Sequence, residues 1–228
     1  MSVNRRFVLK GMALSAAGVA MGAPLQALAS ASSPLPDATA TRPVLALVAA
    51  DTAEQLFLQG AGAAAGGRLQ VQRLERELDA LLSVEQQLRR GQSMRVIGLL
   101  DDARASLVLD MARSAGARVQ WVGQHISAQG ITRHHLLSTS ASEGCSRLLG
   151  RQLHGCGAGF QITEERQGSR ALPRQMSAPA RTHAHTGDWA VGVGYLLASL
   201  GVRPAGVAPS ASVGTPLTGS FVSFSIET

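Results

Sequence analysis

Residues 94–125, MRVIGLLDDARASLVLDMARSAGARVQWVGQH, constrain the fold more than any other stretch of this chain. An apolar run from Val96 to Leu100 ends at two adjacent carboxylates, Asp101 and Asp102. A segment of helical period follows, Gly116 stops it, and a second β-type run (Val119, Trp121, Val122) ends near His125. Strand, helix and strand in about thirty residues is the sequence form of a right-handed βαβ unit.

The rest of the chain repeats that plan. Pro43 to Ala49 is an apolar run of strand length, suited to a parallel strand buried on both faces. Asp51 to Glu54 has the Asp-x-x-Glu capping pattern and opens a helix, whose end the Gly60–Gly67 tract weakens. Arg68 to Leu74 alternates as a strand. Glu75 to Arg90 carries an apolar stripe (Leu78, Leu81, Leu82, Leu88), with acids early, Arg89 and Arg90 late, and Gly91 as its stop. Ile131 to Thr139 reads as a strand, then a helix capped by Ser140 or Ser142, then a strand from Phe160 to Glu164. Asp188 caps a last helix. Val222, Phe224 and Ile226 alternate with Ser223 and Ser225 in a closing strand. Setting Asp51 on Asp102 aligns Leu56 with Leu107 and Leu58 with Leu109, a weak internal repeat. Alternating elements at this spacing predict an α/β domain over residues 43–228. Its sheet is open and mostly parallel with helices on both faces, a Rossmann-like three-layer arrangement. The last strand is expected at or near an edge, because its alternation suits a half-buried strand. Loops are expected at 165–187 and 202–218.

The first 29 residues read as an address. Arg5, Arg6 and Lys10 form a basic region, Gly11 to Leu28 is mostly apolar and small, and Ala27-Leu28-Ala29 supplies an A-x-A cleavage pattern. Arg5-Arg6 followed by Val8-Leu9-Lys10 resembles the twin-arginine (Tat) export signal, with Val8 standing where phenylalanine is commonest. The resemblance covers residues 1–29 alone. It implies export in the folded state to a bacterial periplasm, with cleavage near Ala29, or membrane contact through this segment if it stays attached. Residues 30–42, rich in Ser, Pro and Thr, form a flexible leader. Without the signal, 18 basic residues face 15 acids, so about half of the apparent basicity lies in the signal. Lys10 is the sole lysine, and the other 20 bases are arginine. Few aromatics and an exported address argue against nucleic acid as a partner. Cys145 and Cys156 flank a helical segment that holds them roughly 14 Å apart, too far for a disulfide, so both are expected as free thiols.

In open α/β sheets ligands bind beyond the carboxyl ends of the strands, where Asp51, Asp101, Asp102, His125 and Ser138–Ser140 fall. Asp101 and Asp102 with His125 are the best catalytic candidates, as metal ligands or a general base. A helix cap explains Asp102 as well, and Asp51 likewise. His183, His185 and Asp188 form a candidate metal set, two imidazoles and a carboxylate as zinc or copper prefers. His154 and Cys156 are a second partial set. Of the adjacent His134 and His135, one faces inward and reads as a satisfied structural histidine. Cys145 reads as a small buried hydrophobe. The run Arg166, Arg170, Arg174 and Arg181 suits an acidic partner or a solvated loop.

No turn carries G-x-G-x-x-G or G-x-x-x-x-G-K-[ST], and acids stand where a phosphate needs bare amides, which argues against nucleotides. There is no G-x-S-x-G, C-x-x-C, C-x-x-C-H or H-E-x-x-H, and no cofactor motif. Two readings follow. One is a non-catalytic exported protein, a binding or accessory subunit of a periplasmic assembly, redox assemblies included, with a periplasmic protein partner. The other is a small metal-assisted or hydrolytic enzyme working through Asp101, Asp102 and His125.

Overall fold

The computed structural model describes residues 42–49, 52–74, 78–128, 131–181, 187–202, 208–211 and 217–228. All of them belong to one unit, Asp37–Thr228. The signal and leader, including Arg5, Arg6, Ala27 and Ala29, lie outside the described residues, as do Asp51, His183 and His185. In chain order the elements are β1 (Val44–Val48), α1 (Thr52–Ala65), β2 (Leu69–Arg73), α2 (Leu78–Arg89), β3 (Arg95–Leu100) and α3 (Asp102–Ser114). There follow β4 (Arg118–Ala128), β5 (Ile131–Ser138), α4 (Cys145–Cys156), β6 (Gly159–Arg166), β7 (Arg174–Ala178), α5 (Asp188–Ala198) and β8 (Gly219–Glu227).

The protein is α/β, and its strands form one eight-stranded sheet in the order β2-β1-β3-β8-β4-β5-β6-β7. The sheet is mixed rather than mostly parallel. β1 pairs parallel with β2 and β3, and β5 with β6, whereas β3–β8, β8–β4, β4–β5 and β6–β7 are antiparallel. The strand–helix–strand unit of residues 94–125 forms, but its strands are not neighbours: β8 lies between β3 and β4, antiparallel to both. The expected edge position of the last strand is therefore corrected to the sheet centre. Val222 to Ile226 are all buried, the serines included. The edges are β2 and β7. β7 falls inside the stretch expected to be a loop, and Pro173 and Pro179 bracket it, as suits an edge strand.

Alternate residues of β1 enter two different cores. Val44, Ala46 and Val48 pack with α1, α4 and α5, while Leu45 and Leu47 pack with α2 and α3. α5 is apolar all round, and every one of its residues is buried. It lies so close to α1 that a Cβ added at Gly60 would sit 1.9 Å from the Val191 carbonyl oxygen, and one at Gly194 would sit 2.1 Å from that of Phe57. The glycine–alanine tract therefore does not weaken α1. It supplies the small surface that lets two helix backbones touch, and α1 continues to Ala65.

The end of β8 is tied down by charge. Glu227 meets Arg95 at 2.8 Å and Arg42 at 3.1 Å and accepts from the Gln120 amide at 3.2 Å. Burial pushes its carboxyl pKa up, but the two guanidiniums outweigh that and hold it below the usual carboxylate value.

Candidate functional site

The acidic pair and His125 are not brought together. Asp101 is the N-cap of α3: its side chain accepts the Arg104 amide at 2.9 Å and the Arg104 guanidinium at 2.7 Å. The cap thus falls one residue earlier than expected, and Asp102, in the first turn, approaches the Ser220 hydroxyl at 3.4 Å. α3 packs on the α2 side of the sheet, whereas His125 points to the α5 side. Asp101→Ala should cost about 1 kcal/mol, the usual worth of an N-cap, measured by urea unfolding. A loss above about 3 kcal/mol would mean the carboxylate does more than cap.

The face that His125 adopts is set by a β-bulge. Against β8, Val119 pairs with Ile226 but Trp121 already pairs with Ser225, so Gln120 is an extra residue. Val119 consequently faces the α2–α3 core, and Trp121, Gly123 and His125 turn toward α5. The antiparallel register places His125 opposite His134, and both imidazoles are buried.

A continuous chain of hydrogen bonds runs through them. Trp121 Nε1 meets Ser223 Oγ at 3.0 Å, Ser223 Oγ meets His125 Nε2 at 2.7 Å, and His125 Nδ1 meets His134 Nδ1 at 2.7 Å. His134 Nε2 then meets Thr132 Oγ1 at 2.9 Å, and Thr132 Oγ1 reaches the Gly159 carbonyl oxygen at 3.3 Å. The ends fix the direction, because an indole N–H donates alone and a carbonyl accepts alone. Reading from Trp121, each group donates to the next. This assigns the proton to Nδ1 of His125 and to Nε2 of His134, and gives every polar hydrogen one acceptor. The reverse direction leaves the Ser223 hydroxyl hydrogen without a partner in the chain and asks the Thr132 hydroxyl hydrogen to serve two acceptors.

Both imidazoles are therefore neutral. Burial holds the pKa of His134 down at about 3, and burial together with its neighbour His134 lowers that of His125 well below 6.5. The Trp189 indole stacks on His125 with centroids 4.8 Å apart and planes at 22°. Gly123 leaves the room for all this: a Cβ there would lie 2.8 Å from both His125 Nε2 and Ser223 Oγ. The chain links β8, β4, β5 and β6 by side chains in the dry core, where each satisfied group avoids a penalty of about 1–3 kcal/mol. Its two imidazoles are closed to solvent.

His135, by contrast, faces outward and meets Glu165 at 3.1 Å. Asp188 is the first residue of α5 after an N-cap at Gly187, and its buried carboxylate accepts the Ala211 amide at 2.8 Å. Its expected metal partners His183 and His185 lie outside the described residues. No group of three or more potential metal ligands occurs among the described residues. Cys145 is buried and Cys156 half-buried, both free thiols at opposite ends of α4. Burial, then Glu164, pushes the Cys145 thiol up to about 11, which makes it a poor nucleophile.

No protein-family model, no curated protein and no solved structure matches this chain.

On the face opposite α5, the helices α2 and α3 cover β1, β3, β8 and the start of β4. Beyond that point no helix among the described residues covers the sheet. Ile126, Ile131 and Leu137 are exposed there at 49, 45 and 38 %. Ile126, Ala128, Ile131 and Arg133 line a hollow of about 350 Å³ at the β4–β5 end. Arg133 is exposed and makes no ion pair among the described residues. Trp189, Ser223 and Thr132 were not candidates from sequence. The signal for His125 facing His134 was a two-residue gap between Ala128 and Ile131, which sets the hairpin register.

Proposed function

We propose that this chain is exported to the bacterial periplasm by its twin-arginine-type signal, cleaved near Ala29. There it serves as a non-catalytic binding or accessory subunit of a periplasmic assembly, redox assemblies included. The observation that carries the reading is the uncovered face of β4 and β5, where Ile126, Ala128 and Ile131 surround Arg133, which makes no ion pair among the described residues. A protein partner with an acidic group among apolar residues complements it. The three-layer, Rossmann-like stacking belongs to the same reading: helices cover most of one face and about half of the other, and the partner supplies the missing cover. No helix among the described residues is long and apolar enough to cross a membrane. The enzyme reading gains no observation, since its three side chains lie on two faces of the sheet.

Site-specific photo-crosslinking in the native envelope tests this. A photoreactive residue at Ile131 or Leu137 should give one adduct of defined mass, and one at Leu107, exposed on α3, should not. Ile131→Arg should abolish co-purification of the same protein. Equal adducts from all three positions, or none, would overturn the proposal. Zinc and copper analysis of the purified protein tests the His183, His185 and Asp188 set, and a stoichiometric metal would favour metal-assisted chemistry instead.

A further inference from the structure

On the opposite face from that surface, residues 208–211 lie beside α4 and α5, held to α5 by the Ala211 amide donating to Asp188 and to α1 by the Gln59 amide donating to the Ser210 carbonyl at 3.1 Å. Between them lies a cavity of about 490 Å³, inside the ~300–1,000 Å³ range that holds drug-sized ligands. Its walls are mostly apolar, with Leu148, Leu196, Ala208 and Tyr195, and Gln152 and Ser210 add polar groups to the lining. The charges are asymmetric. At the floor, Asp188 is 1 % exposed, and its carboxylate is already engaged by the Ala211 amide. At the rim, the Arg151 guanidinium is exposed and makes no hydrogen bond or ion pair among the described residues. Gly155 also lines the cavity, and a Cβ there would meet nothing within 4 Å, so the space beside it is open.

A mostly apolar slot, with a guanidinium at its mouth that no described residue engages, recognises an amphipathic anion: a flat or aliphatic body against Leu148, Leu196 and Tyr195, and a carboxylate, sulfonate or phosphate on Arg151. We propose that the α4–α5 cavity is a binding site for a small amphipathic anion. Burying the body supplies the hydrophobic gain, and the guanidinium adds a charge-assisted hydrogen bond. The site does not depend on the partner surface, which lies across the sheet.

Two fluorescent probes that differ by one sulfonate test this on the purified protein. They are 8-anilinonaphthalene-1-sulfonate and the neutral N-phenyl-1-naphthylamine. Each should bind at one site per chain. Arg151→Glu should weaken the sulfonate at least ~tenfold, the scale of one lost charge-assisted bond, and move the neutral probe less than ~twofold. Gly155→Trp, which fills the cavity where nothing stands in the way, should abolish both. Occupancy by either probe should slow alkylation of Cys156, which lines the cavity. Absence of binding, unchanged binding in Gly155→Trp, or equal effects of Arg151→Glu on the two probes would overturn the proposal.

Discussion

Between pH 6.5 and pH 5 the folded protein should lose about 3 kcal/mol of stability, a large share of the roughly 5–15 kcal/mol a typical domain has. The cause is the buried imidazole pair. Both folded pKa values lie below 6.5, that of His134 at about 3, so below pH 6.5 the unfolded chain binds protons that the folded chain refuses. The stability contributed by the neutral pair is complete above pH 6.5. It falls by about 1.4 kcal/mol per pH unit for each histidine down to the folded pKa. The carboxylates with lowered pKa, Glu227 and Glu143, add losses only at more acid pH, which leaves pH 5–6.5 to the histidines. Urea unfolding at pH 8, 7, 6 and 5, followed by the fluorescence of buried Trp121 and Trp189, reads the slope. His134→Gln should roughly halve it while lowering stability at pH 8. A wild-type stability equal at pH 7 and pH 5 would refute the neutral, buried assignment.

Gly60→Ala should be the most damaging of the conservative substitutions, at about 3 kcal/mol or more. In an isolated helix the same change would gain up to about 1 kcal/mol. Here the new methyl would meet the Val191 carbonyl oxygen at 1.9 Å and the Tyr195 amide nitrogen at 2.9 Å. Both are backbone atoms of a wholly buried helix, so neither can swing aside. α1 and α5 must separate along their contact, loosening Phe57 and Ala61 against α5, which is overpacking at its most expensive. Gly62→Ala on the same helix is the control, because its Cβ would meet nothing closer than a leucine methyl at 3.9 Å. Thermal unfolding of the two variants should separate them by more than ~10 °C, and similar melting temperatures would show that the helices are not in backbone contact.

Most of the elements were legible, because β1, β3, α2 and α3 have one period and one clear stop each. The neighbour relations were not. A serine alternating with Val222, Phe224 and Ile226 looks wet, but Ser223 is dry and bonded to Trp121 and His125. Periodicity reports that two faces differ in polarity, and burial depends on what the other strands bring. Gln120 is the same kind of case: one extra residue, invisible in composition, turned His125 away from Asp101 and Asp102. The acids were legible as a cap or a site, and a single backbone bond to Arg104 decided for the cap. The cavity and the open sheet face were hidden because both arise where elements fail to cover one another.

The central place of β8 also sets a timetable. During synthesis β3 and β4 emerge early, each presenting a bare row of amides and carbonyls that no neighbour in the growing chain can pair. Their shared partner ends at Glu227, roughly 100 residues after β4 is complete, which at 5–20 residues per second is about 5–20 s of waiting. For that interval the nascent protein is two half-sheets with sticky edges, and the last nine-residue strand closes both at once.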